Sequence, residues 1–216
     1  MNSKNKTYLF DFDGTLVDSM PYFINVMLRI LDENDIKYDK DIVKIITPLG
    51  YRGTAEYFQK LGLQNSPEEL MAQMQKYAFD AYTNKIIAKE GVTETLIQLK
   101  QQGNSLNVLT ASPHSSLDPC LKRLGIFDLF DNVWSCDDFN TTKADPNIYR
   151  LAAERIGKDV KEIIFVDDNV NAVTTAKLGG MISYGIYDDS SAEFTDEMKQ
   201  KADRYIESFS ELLVVL

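Results

Sequence analysis

Apolar residues recur at three- and four-residue spacing from about Met20 to Asn84, which is the spacing of one face of an α-helix. The pattern is clearest over residues 22–31 and 68–82. The second stretch follows Asn65-Ser66-Pro67-Glu68-Glu69, a sequence typical of a capped helix start. No convincing strand pattern interrupts this part of the chain. We therefore predict that it folds as a series of helices.

From Gly91 onward, short apolar runs alternate with stretches of helical spacing. The predicted strands are 106–109, 132–135, 163–166 and 181–184, the last of which is taken as the final strand. The predicted helices are 117–124, 146–156 and 172–178, each followed by glycine. Such alternation implies a parallel sheet with helices on both faces. The apolar run at residues 8–10 adds a strand that precedes the helical segment.

The two patterns together predict an α/β fold, a doubly wound parallel sheet with an inserted all-α helical domain. Because the first strand belongs to the sheet, the helical segment interrupts the sheet domain in the sequence. We place the sheet domain at residues 1–17 and 88–216 and the helical domain at 18–87. The tail, residues 196–216, is predicted to be a polar helix followed by an apolar end.

The composition is that of an ordinary folded protein, and the net charge restricts the classes of molecule that it can bind. The apolar fraction is 44% and the formal net charge is −10. That charge argues against nucleic acid, because phosphate backbones need basic partners. The first residues lack the apolar core of a signal peptide, and no apolar stretch is long enough to span a bilayer. We therefore expect a cytoplasmic protein, a monomer or a weak homo-dimer, that does not act on membranes.

Histidine and cysteine are scarce, which restricts the possible chemistry. His114 is the single histidine, so a Ser-His triad and a histidine-based zinc site are excluded. Acid–base chemistry must then rest mainly on carboxylates or lysine. Cys120 and Cys136 are far apart in the sequence and lack metal-ligand spacing, so we expect buried, reduced thiols.

Two carboxylates, Asp11 and Asp13, follow the first predicted strand directly. Two acids on one face of a strand end repel each other unless a cation or a shared proton relieves the repulsion. A Gly-Thr turn, Gly14-Thr15, follows them. The arrangement indicates a metal site, a catalytic site or both.

Three other segments place polar residues near predicted strand ends. They are Thr110-Ala111-Ser112, Lys143 and Asp167-Asp168-Asn169. Taken singly, each has a simpler explanation as a helix cap or a solvated charge. Ligands of parallel α/β sheets bind at the carboxyl ends of the strands, so the residues together indicate a magnesium–phosphate site. Carboxylate oxygens suit Mg²⁺, and the hydroxyl, backbone N–H groups and lysine suit phosphate oxygens.

Four segments of the chain resemble the four sequence motifs of the haloacid dehalogenase-like superfamily. They are Asp11–Ser19, Leu109–Ser112, Lys143–Pro146 and Phe165–Asn169, and they occur in the family's order. The resemblance covers nearly the whole chain and implies a Rossmann-like core. The helical segment is similar to the small α-helical cap of phosphoglycolate phosphatases and β-phosphoglucomutases, which closes over the site.

The resemblance implies a magnesium-dependent phosphatase that hydrolyses a small phosphorylated metabolite through an aspartyl-phosphate. Asp11 would be the nucleophile and Asp13 the general acid and base. The phosphate would be held by Gly14, Thr110, Ala111, Ser112 and Lys143. Mg²⁺ would be held by Asp11, the main-chain carbonyl of Asp13, Asp168 and Asp167, the last either directly or through water.

Two other functions are compatible with the same motifs. A phosphomutase of the β-phosphoglucomutase type would carry a histidine shortly after the first motif, and Met20-Pro21-Tyr22-Phe23 contains none. A non-catalytic phospho-ligand-binding protein would be expected to have lost one of the main motif residues. None of these is missing, since the chain has Asp11, Asp13, Lys143 and Asp168. Carbon–halogen cleavage is disfavoured by Asp13, because a halide leaving group needs no proton.

The chain departs from the family pattern at three places, and two further residues have open roles. Ala144 replaces the proline that usually follows the motif lysine, Ala172 replaces a frequent aspartate, and Lys89-Glu90-Gly91 replaces Tyr-Pro-Gly. Arg52 either reaches an anionic group of the substrate or is a solvated surface arginine. His114 is expected to be a solvated loop residue, with substrate contact as the alternative.

Overall fold

A computed structural model describes residues 5–214, apart from the side chain of Pro48. The chain divides into two compact units, Met1–Asp18 with Ile87–Leu216, and Ser19–Ile86. The first unit contains the sheet and the second is helical. Among the described residues, no helix combines the length and the apolar character needed to cross a membrane.

The first unit is built around a six-stranded sheet in which all neighbouring strands are parallel. The strands are β1 (Thr7–Phe10), β2 (Ser105–Thr110), β3 (Asn132–Ser135), β4 (Ile163–Asp167), β5 (Ile182–Ile186) and β6 (Arg204–Ile206), in the spatial order β3-β2-β1-β4-β5-β6. The sheet confirms the predicted α/β class and places β1 in its interior.

Nine α-helices accompany the strands in the described part of the chain. They are α1 (Met20–Glu33), α2 (Ile42–Ile46), α3 (Gly50–Lys60), α4 (Pro67–Asn84), α5 (Val92–Gln101), α6 (His114–Arg123), α7 (Asn147–Ile156), α8 (Val170–Gly179) and α9 (Thr195–Lys201). Short 3₁₀ turns complete the connections. The first four helices form the second unit, and the other five belong to the sheet unit.

The strand order reverses its direction between β1 and β4. The chain runs outward from β1 to β3, crosses back, and then runs outward from β4 to β6. Right-handed crossovers therefore place helices on both faces of the sheet, and α7 packs on α8 while α8 packs on α9. This is the doubly wound arrangement, and ligands bind at the point of reversal.

Strand β1 is buried on both faces because its side chains alternate between two cores. Leu9 packs in the cluster that contains Tyr149 and Phe165. On the opposite face the Phe10 ring lies 6.5 Å from that of Phe130 and 5.5 Å from that of Phe209, measured between centroids. A strand covered on both faces reads as a continuous apolar run, which is why residues 8–10 predicted a strand.

The predicted elements of the sheet unit are confirmed with one clear exception. Residues 181–184 were expected to form the final strand, but β6 follows at Arg204–Ile206 and pairs with β5. The strand has three residues, and two of them are only partly buried. A strand this short at a sheet edge offers too few positions for a periodic pattern, so the tail prediction missed it.

The second unit, Ser19–Ile86, has its own apolar core between its helices. The fully buried side chains there include Met27, Ile30, Phe58, Leu70 and Met74, each contributing about 2 kcal/mol through burial. The predicted start of α4 is confirmed in detail. Ser66 accepts a hydrogen bond from the backbone N–H of Glu69, and the Glu69 carboxylate accepts one from the backbone N–H of Ser66.

Candidate active site

The carboxyl ends of three neighbouring strands bring the predicted site residues together. Phe10 lies opposite Val166 in the register of β1 and β4, so Asp11 follows β1 where β4 ends at Asp167. The backbone N–H of Asp11 continues the ladder by donating to the Val166 carbonyl at 2.9 Å. Thr110 ends β2 on the other side of β1. Parallel pairing therefore gathers residues that are far apart in the sequence.

Three aspartates form a buried acidic cluster at this edge. Asp11, Asp167 and Asp168 each offer a carboxylate oxygen, and these oxygens lie within 4.8 Å of one another. All three residues are buried. In the part of the chain that the structure describes, no other such group of potential metal ligands is found.

The pKa values of the acidic cluster reflect this crowding. Burial raises the pKa of Asp11 well above its usual value, and the charges of Asp167, Asp168 and Asp13 add to the effect while Lys143 opposes it. Burial, reinforced by the charge of Asp167, raises the pKa of Asp168 to about 7. Negative charge in this cluster is therefore costly unless a cation balances it.

Lys143 supplies part of the balancing charge. Its Nζ atom donates to Asp11 Oδ1 at 2.5 Å and to Asp167 Oδ2 at 2.8 Å. Burial disfavours the charged ammonium, but the two carboxylates outweigh it and hold the pKa of Lys143 well above its usual value. The lysine is thus a fixed positive charge beside the acidic cluster.

The residues present fit a divalent metal ion. Three carboxylates and one ammonium leave two negative charges uncompensated when all four are ionised. Oxygen donors from Asp and from backbone carbonyls are the ligands that hard divalent cations prefer. The acidic cluster can therefore hold such an ion, and an ion would offset the repulsion that raises the pKa values.

The side chain of Thr15 holds one acid of the cluster, and that of Asn169 caps the helix that follows the cluster. Thr15 Oγ1 donates to Asp168 Oδ1 at 3.1 Å and accepts from the Asp168 backbone N–H at 3.1 Å. Asn169, not Asp167 or Asp168, caps α8 by accepting from the backbone N–H groups of residues 171 and 172. Helix capping was the simpler explanation of the Asp167-Asp168 pair, and the structure assigns it to the next residue. Thr15 was not singled out from the sequence, although it directly follows the Asp-x-Asp-Gly run.

Gly14 is required by both its conformation and its surroundings. Its φ of +78° lies in the left-handed region that glycine adopts without strain. A Cβ atom built at this position would lie 2.7 Å from the Asp168 carboxylate oxygens. The turn after β1 therefore lies directly against the acidic cluster, and any side chain at this position would displace Asp168.

The segment after β2 contacts the second acid of the first motif. Ser112 Oγ donates to Asp13 Oδ2 at 2.5 Å, and the Ser112 backbone N–H donates to Thr110 Oγ1 at 3.0 Å. Thr110 is buried, Ser112 and Asp13 are partly exposed, and Ala111 is exposed. The Asp13 carboxylate is not part of the acidic cluster. The structure thus separates the acid that faces the Ser112 loop from the acids that can share a metal ion.

Arg52 and His114 have partners of their own. Arg52, on α3, is exposed and lies 3.5 Å from a Glu68 carboxylate oxygen. His114 begins α6 rather than lying in a loop, and its ring nitrogens lie 2.8 Å from Asp118 and 2.8 Å from Asp138. These hydrogen bonds, that to Asp118 foremost, raise the pKa of His114. The expected loop position of His114 was therefore wrong, although its side chain is partly exposed to solvent.

Two supporting residues of the site were not found from the sequence. The Tyr149 hydroxyl lies 3.1 Å from the carbonyl oxygen of Lys143 and 3.2 Å from that of Ala172. Lys89 was noted only as part of a departure from the family pattern, yet its ammonium donates to the carbonyl oxygen of Gly14 at 2.7 Å. The contacts of Tyr149 with Ala172 and of Lys89 with Gly14 join residues 23 and 75 positions apart, and the sequence carries no local signal for them.

Comparison with known proteins decides the family. The family model for haloacid dehalogenase-like hydrolases matches residues 5–180 of the chain. The chain belongs to this family. It is 32% identical over 181 residues to pyrophosphatase PpaX from Bacillus velezensis, a match that covers 82% of this chain and 81% of PpaX.

Two further proteins extend the comparison. The chain is 26% identical over 188 residues to validoxylamine A 7'-phosphate phosphatase from Streptomyces hygroscopicus subsp. limoneus, covering 87% of this chain and 88% of that protein. The fold is similar to that of a "putative beta-phosphoglucomutase" from Thermotoga maritima, with a TM-score of 0.83, 22% identity, and coverage of 96% and 97% of the two chains. The protein is thus an enzyme of the haloacid dehalogenase-like family, and the two relatives compared by sequence are named as phosphatases. Divalent metal ions are general in that family.

Proposed function

We propose that the protein is a magnesium-dependent phosphatase that hydrolyses a small phosphomonoester through an aspartyl-phosphate on Asp11. The observation that carries the proposal is the buried acidic cluster with Lys143 bound to Asp11 and Asp167. A structural core gains nothing from three buried carboxylates. A phosphoryl-transfer site benefits from such carboxylates, because they can share a cation and one of them can serve as the nucleophile.

The proposed reaction has two displacement steps. A carboxylate oxygen of Asp11 attacks phosphorus, and the bond between phosphorus and the ester oxygen breaks. Asp13 donates a proton to that oxygen, which leaves as an alcohol. Asp13 then removes a proton from water, the water oxygen attacks the same phosphorus atom, and the bond between phosphorus and the Asp11 oxygen breaks. Release of inorganic phosphate restores the Asp11 carboxylate.

Other residues of the chain hold the phosphoryl oxygens. Lys143 is already charged and buried beside Asp11, so it can neutralise an equatorial oxygen without reorganisation. Thr110 Oγ1 and the backbone N–H of Ala111 can donate to the remaining oxygens, with Gly14 leaving room for the phosphoryl group. The Ser112 backbone N–H donates to Thr110 Oγ1 and so helps to orient that hydroxyl. The contact between Ser112 Oγ and Asp13 supports a role of that loop in orienting the general acid.

We assign the metal ion as Mg²⁺, held by Asp11, Asp168 and the main-chain carbonyl of Asp13. When bound, it would offset the repulsion between the Asp11 carboxylate and the phosphate. Asp167 is proposed to act through water, because one of its oxygens accepts from Lys143 and the other from the backbone N–H of Asn169 at 2.7 Å. Burial of all three acids supports a closely held ion.

The helical unit is proposed to be the substrate-selecting cap, with its boundaries at residues 18 and 87. The similarity of this segment to small helical caps supports the assignment. Arg52 remains a candidate for binding an anionic group of the substrate. Since Arg52 is exposed beside Glu68, an anion would have to compete with the solvated Glu68 carboxylate for it.

The direct test is phosphate release from p-nitrophenyl phosphate by the purified protein, with and without Mg²⁺. We expect turnover that depends on Mg²⁺ and is lost in EDTA, because the acidic cluster cannot accept a phosphate dianion without a cation. Conversion of a sugar 1-phosphate to the 6-phosphate without net phosphate release would instead support the mutase. Binding of phosphate without any turnover would support a non-catalytic protein.

Asp13→Asn should separate the two steps of the reaction. We expect kcat/KM for phenyl phosphate to fall about 10²- to 10⁴-fold, because the basic phenolate needs the Asp13 proton. The loss for p-nitrophenyl phosphate should be much smaller, since p-nitrophenolate leaves readily without a proton. A first-turnover burst of p-nitrophenol should appear, because water attack on the aspartyl-phosphate also needs Asp13. Equal losses for both substrates, without a burst, would contradict the general-acid role.

A further inference from the structure

Lys89 makes three hydrogen bonds, which use all the N–H groups of its ammonium. Its Nζ atom donates to the Gly14 carbonyl at 2.7 Å, to the Tyr187 carbonyl at 2.8 Å and to Asp188 Oδ2 at 2.7 Å. The side chain is mostly buried, and its own backbone N–H donates to the Leu16 carbonyl at 3.1 Å. Lys89 thus joins the turn after β1 to the segment after β5.

One end of this link lies within the active-site turn. Gly14 is flanked by Asp13 and by Thr15, whose hydroxyl is bonded to Asp168. The same glycine packs against the Asp168 carboxylate so closely that a Cβ atom would clash with it. A shift of the Gly14 carbonyl would therefore move Asp13, Thr15 or both relative to the acidic cluster.

The other end of the link is a fixed anchor. Asp188 is buried, and its second oxygen accepts from the backbone N–H of Ser190 at 2.9 Å and from Ser190 Oγ at 2.5 Å. Burial alone would raise the pKa of Asp188, but hydrogen bonds from Lys89 and Ser190 outweigh it and lower that pKa. The charge of Asp188 contributes to the raised pKa of Asp168, and the ion pair with Lys89 at 2.7 Å places an opposite charge beside it.

A simple ion pair does not explain this geometry. Pairing with Asp188 needs one N–H group, yet two others are directed at backbone carbonyls on separate segments. Lys177 provides a comparison in the same unit, since it contacts Asp203 at 2.7 Å and the Lys201 carbonyl at 3.1 Å. Neither of those partners lies within the motif segments.

We propose that Lys89 is a positioning residue that holds the Asp13–Thr15 turn so that Asp13 is aligned with the leaving oxygen. The inference rests on the phosphatase function proposed above. It assigns a catalytic consequence to a lysine that touches neither substrate nor metal. A displacement of about 1 Å is enough to cost roughly 100-fold in rate.

The test compares Lys89→Met with Lys177→Met as a matched control, using kcat/KM for phenyl phosphate and for p-nitrophenyl phosphate. We expect Lys89→Met to lose roughly 10- to 100-fold on phenyl phosphate and clearly less on p-nitrophenyl phosphate, because misaligned Asp13 matters most for the basic leaving group. Lys177→Met should keep the wild-type ratio of the two substrates. Thermal unfolding of both variants gives the folded fraction.

Each outcome of this comparison has one meaning. A loss of folded protein lowers the apparent kcat/KM for both substrates by the same factor and leaves their ratio unchanged. If Lys89→Met keeps the wild-type ratio of kcat/KM for phenyl phosphate and p-nitrophenyl phosphate, the inference is overturned and the phosphatase function stands. Absence of turnover in the wild-type protein would overturn both. Should Lys89→Met fail to fold, Lys89→Arg carries the same comparison, because it keeps the charge beside Asp188 but cannot reproduce three ammonium hydrogen bonds.

Discussion

Asp11→Asn is expected to lower kcat for p-nitrophenyl phosphate by about 10⁴-fold or more, because an amide cannot accept the phosphoryl group. The fold should survive the change. A carboxyl whose pKa is raised in the folded state destabilises that state as pH rises above the unfolded value. Asparagine removes this cost, and Lys143 keeps its contact with Asp167. Metal-free Asp11→Asn should therefore unfold at no lower temperature than the parent.

The control for this variant is Asp131→Asn. Asp131 is paired with Lys100 and accepts from Ser105 Oγ at 2.8 Å, outside the motif segments. We expect its turnover to stay within about twofold of the parent while its stability falls slightly, as is usual for a surface pair. Undiminished magnesium-dependent turnover in Asp11→Asn would refute the nucleophile assignment.

Lys143→Met is expected to destabilise the metal-free protein by about 3 kcal/mol, because removing one partner of a buried ionic cluster leaves unpaired charge. Mg²⁺ should restore more stability to this variant than to the parent, since the ion then becomes the sole cation beside the acids. A site saturated 100-fold above its dissociation constant contributes about 2.7 kcal/mol. Urea unfolding near pH 8, with and without Mg²⁺, measures both quantities.

Lys100→Met serves as the matched control for Lys143→Met. This variant also deprives an aspartate of its lysine partner, but the Lys100–Asp131 ion pair is partly exposed to solvent. Its loss of stability should be about 1 kcal/mol or less, and Mg²⁺ should stabilise it as it stabilises the parent. Equal magnesium effects in the Lys143→Met variant and the parent would mean that the ion is not bound beside Lys143.

The main elements of the fold were predictable because each carries a local signal. Strand β4 is buried on both faces and so appears as an unbroken apolar run. The start of helix α4 is indicated by Ser66 and Glu69, because the side chain of each accepts a hydrogen bond from the backbone N–H of the other. Strand β6 carries no such signal, because three partly exposed residues at a sheet edge show no period.

The sequence could predict that these residues lie at one edge of the sheet, but not which contacts they make there. Parallel strands end at a common edge, so acids that follow β1 and β4 had to lie near each other. The tertiary structure decided which side chain caps α8. Asn169 is the cap, and Asp167 and Asp168 belong to the acidic cluster. The structure also turned His114 from an expected loop residue into a helix-start residue held by two aspartates.

The sequence alone determined the family, the α/β pattern and the identity of the acids, because these depend on residue types and on neighbours along the chain. Only the tertiary structure decided which charges meet. Lys143 is 132 positions from Asp11 and Lys89 is 99 from Asp188, so no local rule pairs them. These contacts then set the pKa values. Desolvation, together with repulsion from nearby carboxylates, raises the pKa values of Asp11 and Asp168.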